Sequence, residues 1–166
     1  EGRPDIRDLV TVLEHGEGPV LSEGDLTVSA LRVDHPPVTD CFALKFEGGG
    51  RTVVFSSDTA YFPPLAAFGR SANLLVHEGL HPEGLERLVS RTGNGARLRE
   101  HLTASHTFAE DVGRIAADAG VGRLVLHHLV PADDPEITAA DWERELRKTW
   151  KGPLTIGSDG LVLPLD

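Results

Sequence analysis

The sequence predicts an α/β fold, and three observations carry that prediction. Short apolar runs at Arg51–Phe55, at Leu74-Leu75-Val76 and at Leu124-Val125-Leu126 read as strands buried on both faces. In the second half of the chain, stretches with helical periodicity separate those runs. The 166 residues contain no linker, repeat or low-complexity segment, so 1–166 reads as a single unit.

Taken in order, residues 1–20 show little periodicity beyond Leu9, Val10, Val12 and Leu13, which fit one strand before a turn over 14–19. Leu26, Val28 and Ala30 alternate with Thr27 and Ser29 as in a half-buried strand. The apolar phase then shifts to Leu31 and Val33, which implies a bulge or twist. Pro36 and Pro37 end this strand because neither can donate to a ladder. Phe42, Leu44 and Phe46 alternate again, and Gly48-Gly49-Gly50 turns the chain into 51–55 as an antiparallel pair. Residues 63–68 read as a short helix with proline in its first turn.

The buried run at 74–76 ends on His77-Glu78-Gly79. Residues 80–103 mix Gly, Asn and Arg with Leu85, Leu88 and Leu98 and read as a broken helix with a mobile loop. The clearest helix is 107–119. Thr107 and Glu110 have capping-box spacing, Phe108, Val112, Ile115 and Ala119 form one stripe, and Gly120 ends it. After 124–126 come His127-His128. Thr138 with Asp141 starts a further helix carrying Trp142, Leu146 and Trp150, with a Glu143–Arg147 pair on its outer side. Residues 154–156 and 161–163, joined through Ser158-Asp159-Gly160, predict a closing hairpin.

Composition narrows the function. Sixteen basic against twenty-six acidic residues give a net charge of -10, which argues against broad binding to nucleic acid or an anionic membrane. No apolar run approaches the roughly 20 residues that span a bilayer. The single Cys41 excludes an internal disulfide and makes a reducing, cytoplasmic setting the expectation. Eight histidines accompany many carboxylates, the raw material of an oxygen- and nitrogen-ligand metal site. The chain contains no Met and opens on Glu-Gly-Arg-Pro, as a portion of a longer protein would.

Four strand-like runs end in a polar, potentially ligating residue: His35, Asp58, Glu78 and His128; His106 immediately precedes the clearest helix. Each alone is explained by a turn or a cap. Five such residues at element ends match the way zinc sites open to substrate draw His and carboxylate ligands from separate loops.

Five segments carry a resemblance. They are Val33-Asp34-His35-Pro36-Pro37, Phe55-Ser56-Ser57-Asp58-Thr59, Leu75-Val76-His77-Glu78-Gly79, Ala104-Ser105-His106-Thr107-Phe108-Ala109-Glu110-Asp111 and Leu124-Val125-Leu126-His127-His128-Leu129. In this order they resemble the second half of a metallo-β-lactamase-fold hydrolase, in the branch of ribonuclease Z and its arylsulfatase-like and phosphodiesterase-like relatives. The resemblance implies an αββα sandwich, of which this chain supplies the second sheet with its helices. It implies two Zn2+ per complete site, with Mn2+ or Fe as substitutes. His35 and His128 would be terminal ligands and Asp58 would bridge both metals, while His106 and Glu78 would form a catalytic pair beside them. His127 ranks below His128, because it falls where the family has Thr or Ser.

The family's His-x-His-x-Asp-His run is absent: His15, His77, His81 and His101 lack that spacing. An N-terminal half is therefore expected to precede Glu1 and to be required for activity, with this chain alone inactive and exposing an apolar face. The implied activity is hydrolysis of a small-molecule ester (phosphodiester, sulfate ester or lactone-like) by a metal-bound hydroxide. The family's long tRNA-clamping arm has no room between His35 and Asp58, where one hairpin fits, so nucleic acid is disfavoured as a substrate. A tRNA 3′-processing-type endoribonuclease and a metal-free, non-catalytic binding module stand as alternatives, and a homodimer is compatible with either.

Overall fold

The structure, a computed structural model, describes residues 5–165; the opening tetrapeptide 1–4 and residue 166 lie outside it. Seven strands form one sheet in sequence order: β1 (Gly18–Glu23), β2 (Leu26–Arg32), β3 (Phe42–Gly48), β4 (Arg51–Phe55), β5 (Leu74–Leu80), β6 (Leu124–Val130) and β7 (Leu154–Ile156). The first four pair antiparallel, and β4 through β7 pair parallel. The change falls where the connections lengthen enough to hold helices, as parallel crossovers require. Those helices are α1 (Pro64–Phe68), α2 (Pro82–Ser90), α3 (Gly95–Ser105), α4 (Ala109–Ala119) and α5 (Ala139–Leu146). The expected α/β class is the observed one.

One face of the sheet is closed. Val54, Leu75 and Leu124 stand in register across β4, β5 and β6, and Leu65, Ile115, Trp142 and Leu146 from the helices bury them. The other face carries Leu21, Val28, Phe46, Val53 and Leu74 in a single row across five strands. It is only partly covered: Leu163 and Val53 pack on the cluster of Leu74, Val76 and Val125, while Leu21 and Phe55 remain 44% and 41% exposed.

Several expectations need correction. Residues 9–13 form no strand; a 3-10 turn at Ile6–Leu9 leads into an irregular segment whose Val12 and Leu13 are exposed, with no ladder partner among the described residues. The bulge expected in β2 lies in β1, between Pro19 and Leu21, whereas β2 pairs evenly with β3. Leu31 and Val33 break the phase of β2 because they serve the closed face while Val28 serves the other. Residues 80–103 are two helices, α2 and α3. The closing hairpin does not form: β7 follows a helix and pairs parallel with β6, while 161–163 crosses the sheet face.

Other expectations are met by local chemistry. Gly49 and Gly50, both at positive φ, make the β3–β4 turn. Gly120 ends α4 in the left-handed conformation, and Thr138 with Asp141 forms a capping box on α5.

Gly113 shows how tightly α4 meets the end of α5. A Cβ there would lie 2.8 Å from the Leu146 carbonyl and closer still to Thr149 Oγ1. Alanine in a helix interior normally gains about 1 kcal/mol over glycine, but overpacking costs about 1–3 kcal/mol. Gly113→Ala is therefore expected to lower the urea midpoint of unfolding with an unchanged m value.

His77 in β5 is fully buried, and its Nδ1–H donates to the Glu78 carbonyl at 2.7 Å. Burial pushes its pKa down to about 4 from 6.5, so the unfolded chain binds the proton more readily than the folded one. The contribution of His77 to stability is full above pH 6.5 and is lost as pH falls toward 4. Replacement by leucine is expected to flatten that limb in melts recorded against pH.

Candidate metal centre

Loops and strand ends from across the sheet meet at one rim. β4 ends at Phe55, Ser56 N–H donates to the Val76 carbonyl at 2.9 Å, and Ser57 turns sharply with φ of 58° to present Asp58. β5 continues past its expected end, so Glu78 lies inside a strand and is fully buried. β6 also continues, with an irregular step. His77 pairs with Leu126 and Gly79 with Leu129, so Glu78 faces both His127 and His128 across the ladder. The extra residue is absorbed at His128, whose φ of 43° is uncommon for a side chain other than glycine. The bulge separates the two adjacent histidines. His128 is about half exposed, whereas His127 has Nε2 buried without a partner among the described residues, and burial, then His128, lowers its pKa.

His128 Nε2 stands 3.2 Å from Asp58 Oδ2. The His106 ring lies beside the His128 ring, 5.6 Å between centroids. Asp58, His106 and His128 each offer a ligand atom within 4.8 Å of the others. A carboxylate and an imidazole in contact at a partly open rim, with a second imidazole beside them, are side chains of the kind found around a zinc-class cation.

Behind this cluster stands Glu78. Its Oε1 accepts from Thr107 N–H at 2.7 Å and from Thr59 N–H at 3.4 Å. Its Oε2 lies 3.3 Å from His106 Nδ1, at ion-pair distance but off the line of a good hydrogen bond, and neither atom has another partner among the described residues. Burial pushes the Glu78 carboxyl up, opposed by His106 and the Thr107 amide. With Nδ1 turned to Glu78, His106 has Nε2 as its remaining nitrogen.

Four of the five residues expected at this site thus form two touching pairs, Asp58 with His128 and Glu78 with His106. His35 is placed beside them and outside the three-residue cluster: its ring meets that of His106 edge-on at 5.3 Å, and its Nδ1 lies 2.8 Å from the Ser105 carbonyl. Sequence reading missed Thr107 and Thr59. The capping-box spacing hid Thr107, but Phe108 caps α4, and the Thr107 hydroxyl instead donates to the Thr59 carbonyl at 2.7 Å.

A mixed sheet with helices on one face and a His/Asp cluster at the strand ends defines a metallo-β-lactamase-type protein. The match to the family described as "Beta-lactamase superfamily domain" covers residues 5–129, and the chain belongs to that superfamily. It is 29% identical over 143 residues to the Bacillus subtilis protein named "Probable metallo-hydrolase YhfI", covering 86% of this chain and 50% of that protein. It is 26% identical over 150 residues to a Mycobacterium tuberculosis protein named "Ribonuclease Z", covering 90% and 52%. The crystal structure of the metallo-beta-lactamase fold protein YhfI superposes with a TM-score of 0.71 at 26% identity, over 92% of this chain and 55% of that one. The Zn(2+)-bound PqqB of Methylobacterium extorquens shares the fold, with a TM-score of 0.61 at 18% identity over 90% and 54%. The chain spans about half the length of these curated relatives.

Glu78→Ala would leave the Thr107 and Thr59 amides without their acceptor, at about 1–3 kcal/mol for each buried group left unpaired. Both amides are expected to exchange faster with solvent deuterium and the melting temperature to fall, while the amides of α5 keep their relative protection.

Proposed function

We propose that this chain carries one wall of a metal-dependent hydrolase site that acts on a small ester of the phosphodiester, sulfate-ester or lactone-like kind, with zinc as the metal. The convergence of Asp58, His106 and His128 carries this reading, and membership of a superfamily with a relative named a metallo-hydrolase supports it. Asp58 and His128 would hold the cation. When bound, the metal supplies Lewis acidity. His106 carries a proton at Nε2 toward the leaving oxygen, and Glu78 fixes its ring from the Nδ1 side. Further ligands, and the cover for the open apolar face, come from polypeptide beyond these residues, so the whole protein is the active species.

A second reading is a tRNA 3′-processing-type endoribonuclease, favoured by relatives named ribonuclease Z. The net charge of -10 weighs against it.

The test uses the full-length protein loaded with zinc. At least one zinc per chain is expected, lost in Asp58→Ala and His128→Ala. His106→Ala keeps the metal and lowers kcat by about 10²–10⁴-fold on bis(p-nitrophenyl) phosphate or p-nitrophenyl sulfate. Substoichiometric zinc that Asp58→Ala leaves unchanged would sink the reading. Preferential cleavage of a precursor tRNA would replace it with the second.

A further inference from the structure

We infer that Thr107 is a positioning residue for the proposed reaction: its hydroxyl sets His106 against the loop that carries Asp58. The inference rests on the hydrolase reading above for the role of His106.

Two residues of the site are each followed by a threonine, Asp58 by Thr59 and His106 by Thr107. Both threonines are fully buried. Thr107 uses all of its polar groups. Its amide donates to Glu78 Oε1 at 2.7 Å, and its carbonyl accepts from Leu80 N–H at 2.8 Å. Both of those bonds fasten the His106 segment to β5. The third bond, from the hydroxyl to the Thr59 carbonyl at 2.7 Å, reaches the loop of Asp58 instead. A carbonyl oxygen only accepts, so the single proton of this hydroxyl is committed to Thr59. Among the described residues this is the direct hydrogen bond between segments 55–60 and 104–108. Their other tie runs through the shared Glu78 Oε1, which Thr59 N–H reaches only at 3.4 Å.

The two ends of this bond are held unequally. The Asp58 loop has anchors of its own. The Asp34 carbonyl accepts from Ala60 N–H at 2.6 Å and from the Thr59 hydroxyl at 3.3 Å, and Ser56 N–H donates to the Val76 carbonyl at 2.9 Å. The His106 segment lies between two helices, with His106 N–H donating to the Leu102 carbonyl of α3 at 3.0 Å. Loss of the Thr107 hydroxyl therefore leaves Asp58 in place and loosens His106 relative to it. A shift of about 1 Å in a reacting group can cost about 100-fold in rate, so this bond bears on catalysis as well as on folding. Valine at this position would nearly keep the shape but leave the buried Thr59 carbonyl without its donor. Serine would keep the hydroxyl and give up only the methyl group.

The test compares Thr107→Val with Thr107→Ser in the full-length protein. Both are expected to melt below the native protein, the first through an unpaired carbonyl and the second through a lost methyl group. In the metal-free protein, the 1H and 15N resonances of the His106 ring should shift in Thr107→Val and stay near their native positions in Thr107→Ser. With zinc added, both variants should keep the native metal content and KM. The kcat should fall by about 10- to 100-fold in Thr107→Val and stay near native in Thr107→Ser. A threonine that only supports the fold would give no such split. Equal losses of kcat in the two variants, a native kcat in Thr107→Val, unshifted His106 resonances in Thr107→Val, or loss of its zinc overturns the inference. A protein that binds no zinc defeats the hydrolase reading, and the His106 resonances still decide the role of Thr107.

Discussion

A single buried carboxylate holds the site together. Glu78 sits in the middle of the fully buried strand β5, where an ionisable group is costly unless its atoms are partnered. Its partners come from loops distant in sequence. The Thr59 amide ties it to the loop of Asp58, the Thr107 amide ties it to the segment of His106, and its own amide donates to Ser56 Oγ at 3.1 Å. The burial that makes Glu78 expensive therefore also favours this arrangement of those loops, because it gives Oε1 two amide donors and sets Oε2 beside the His106 ring. His106 inherits its orientation from the same carboxylate.

The second constraint is the irregular step between β5 and β6. In a regular ladder His127 and His128 would point to opposite faces, and neither would be aimed by design at the rim. The extra residue opposite Glu78 instead places His128 in the left-handed region and swings it to within 3.2 Å of Asp58. A local departure from strand geometry thus creates the contact between the two proposed ligands, in keeping with the tendency of bulges to lie beside functional sites.

The two faces of the sheet differ for a physical reason. Helices α1, α4 and α5 close one face with large aliphatic and indole side chains. The other face presents a row of apolar side chains covered only in part by the segment around Leu163. A surface of that kind normally meets another layer. The relatives that it matches are about twice as long as this chain.

The strands and helices with strong local signals were legible in the sequence: the β3–β4 turn from its glycines, α4 from its apolar stripe, α5 from its capping box. The segments misread were those whose state depends on neighbours. Residues 9–13 have the composition of a strand but no ladder to join among the described residues, and 161–163 lost its hairpin because the preceding strand had already paired with β6. The same division holds at the site. The sequence by itself determined which side chains could do chemistry and that they fall at element ends, since chain order and residue type are local facts. Only the tertiary structure decided that Asp58, His106 and His128 share one cluster with His35 beside it. Those placements depend on a bulge and a left-handed residue, which arise only when distant segments compete to satisfy their hydrogen bonds.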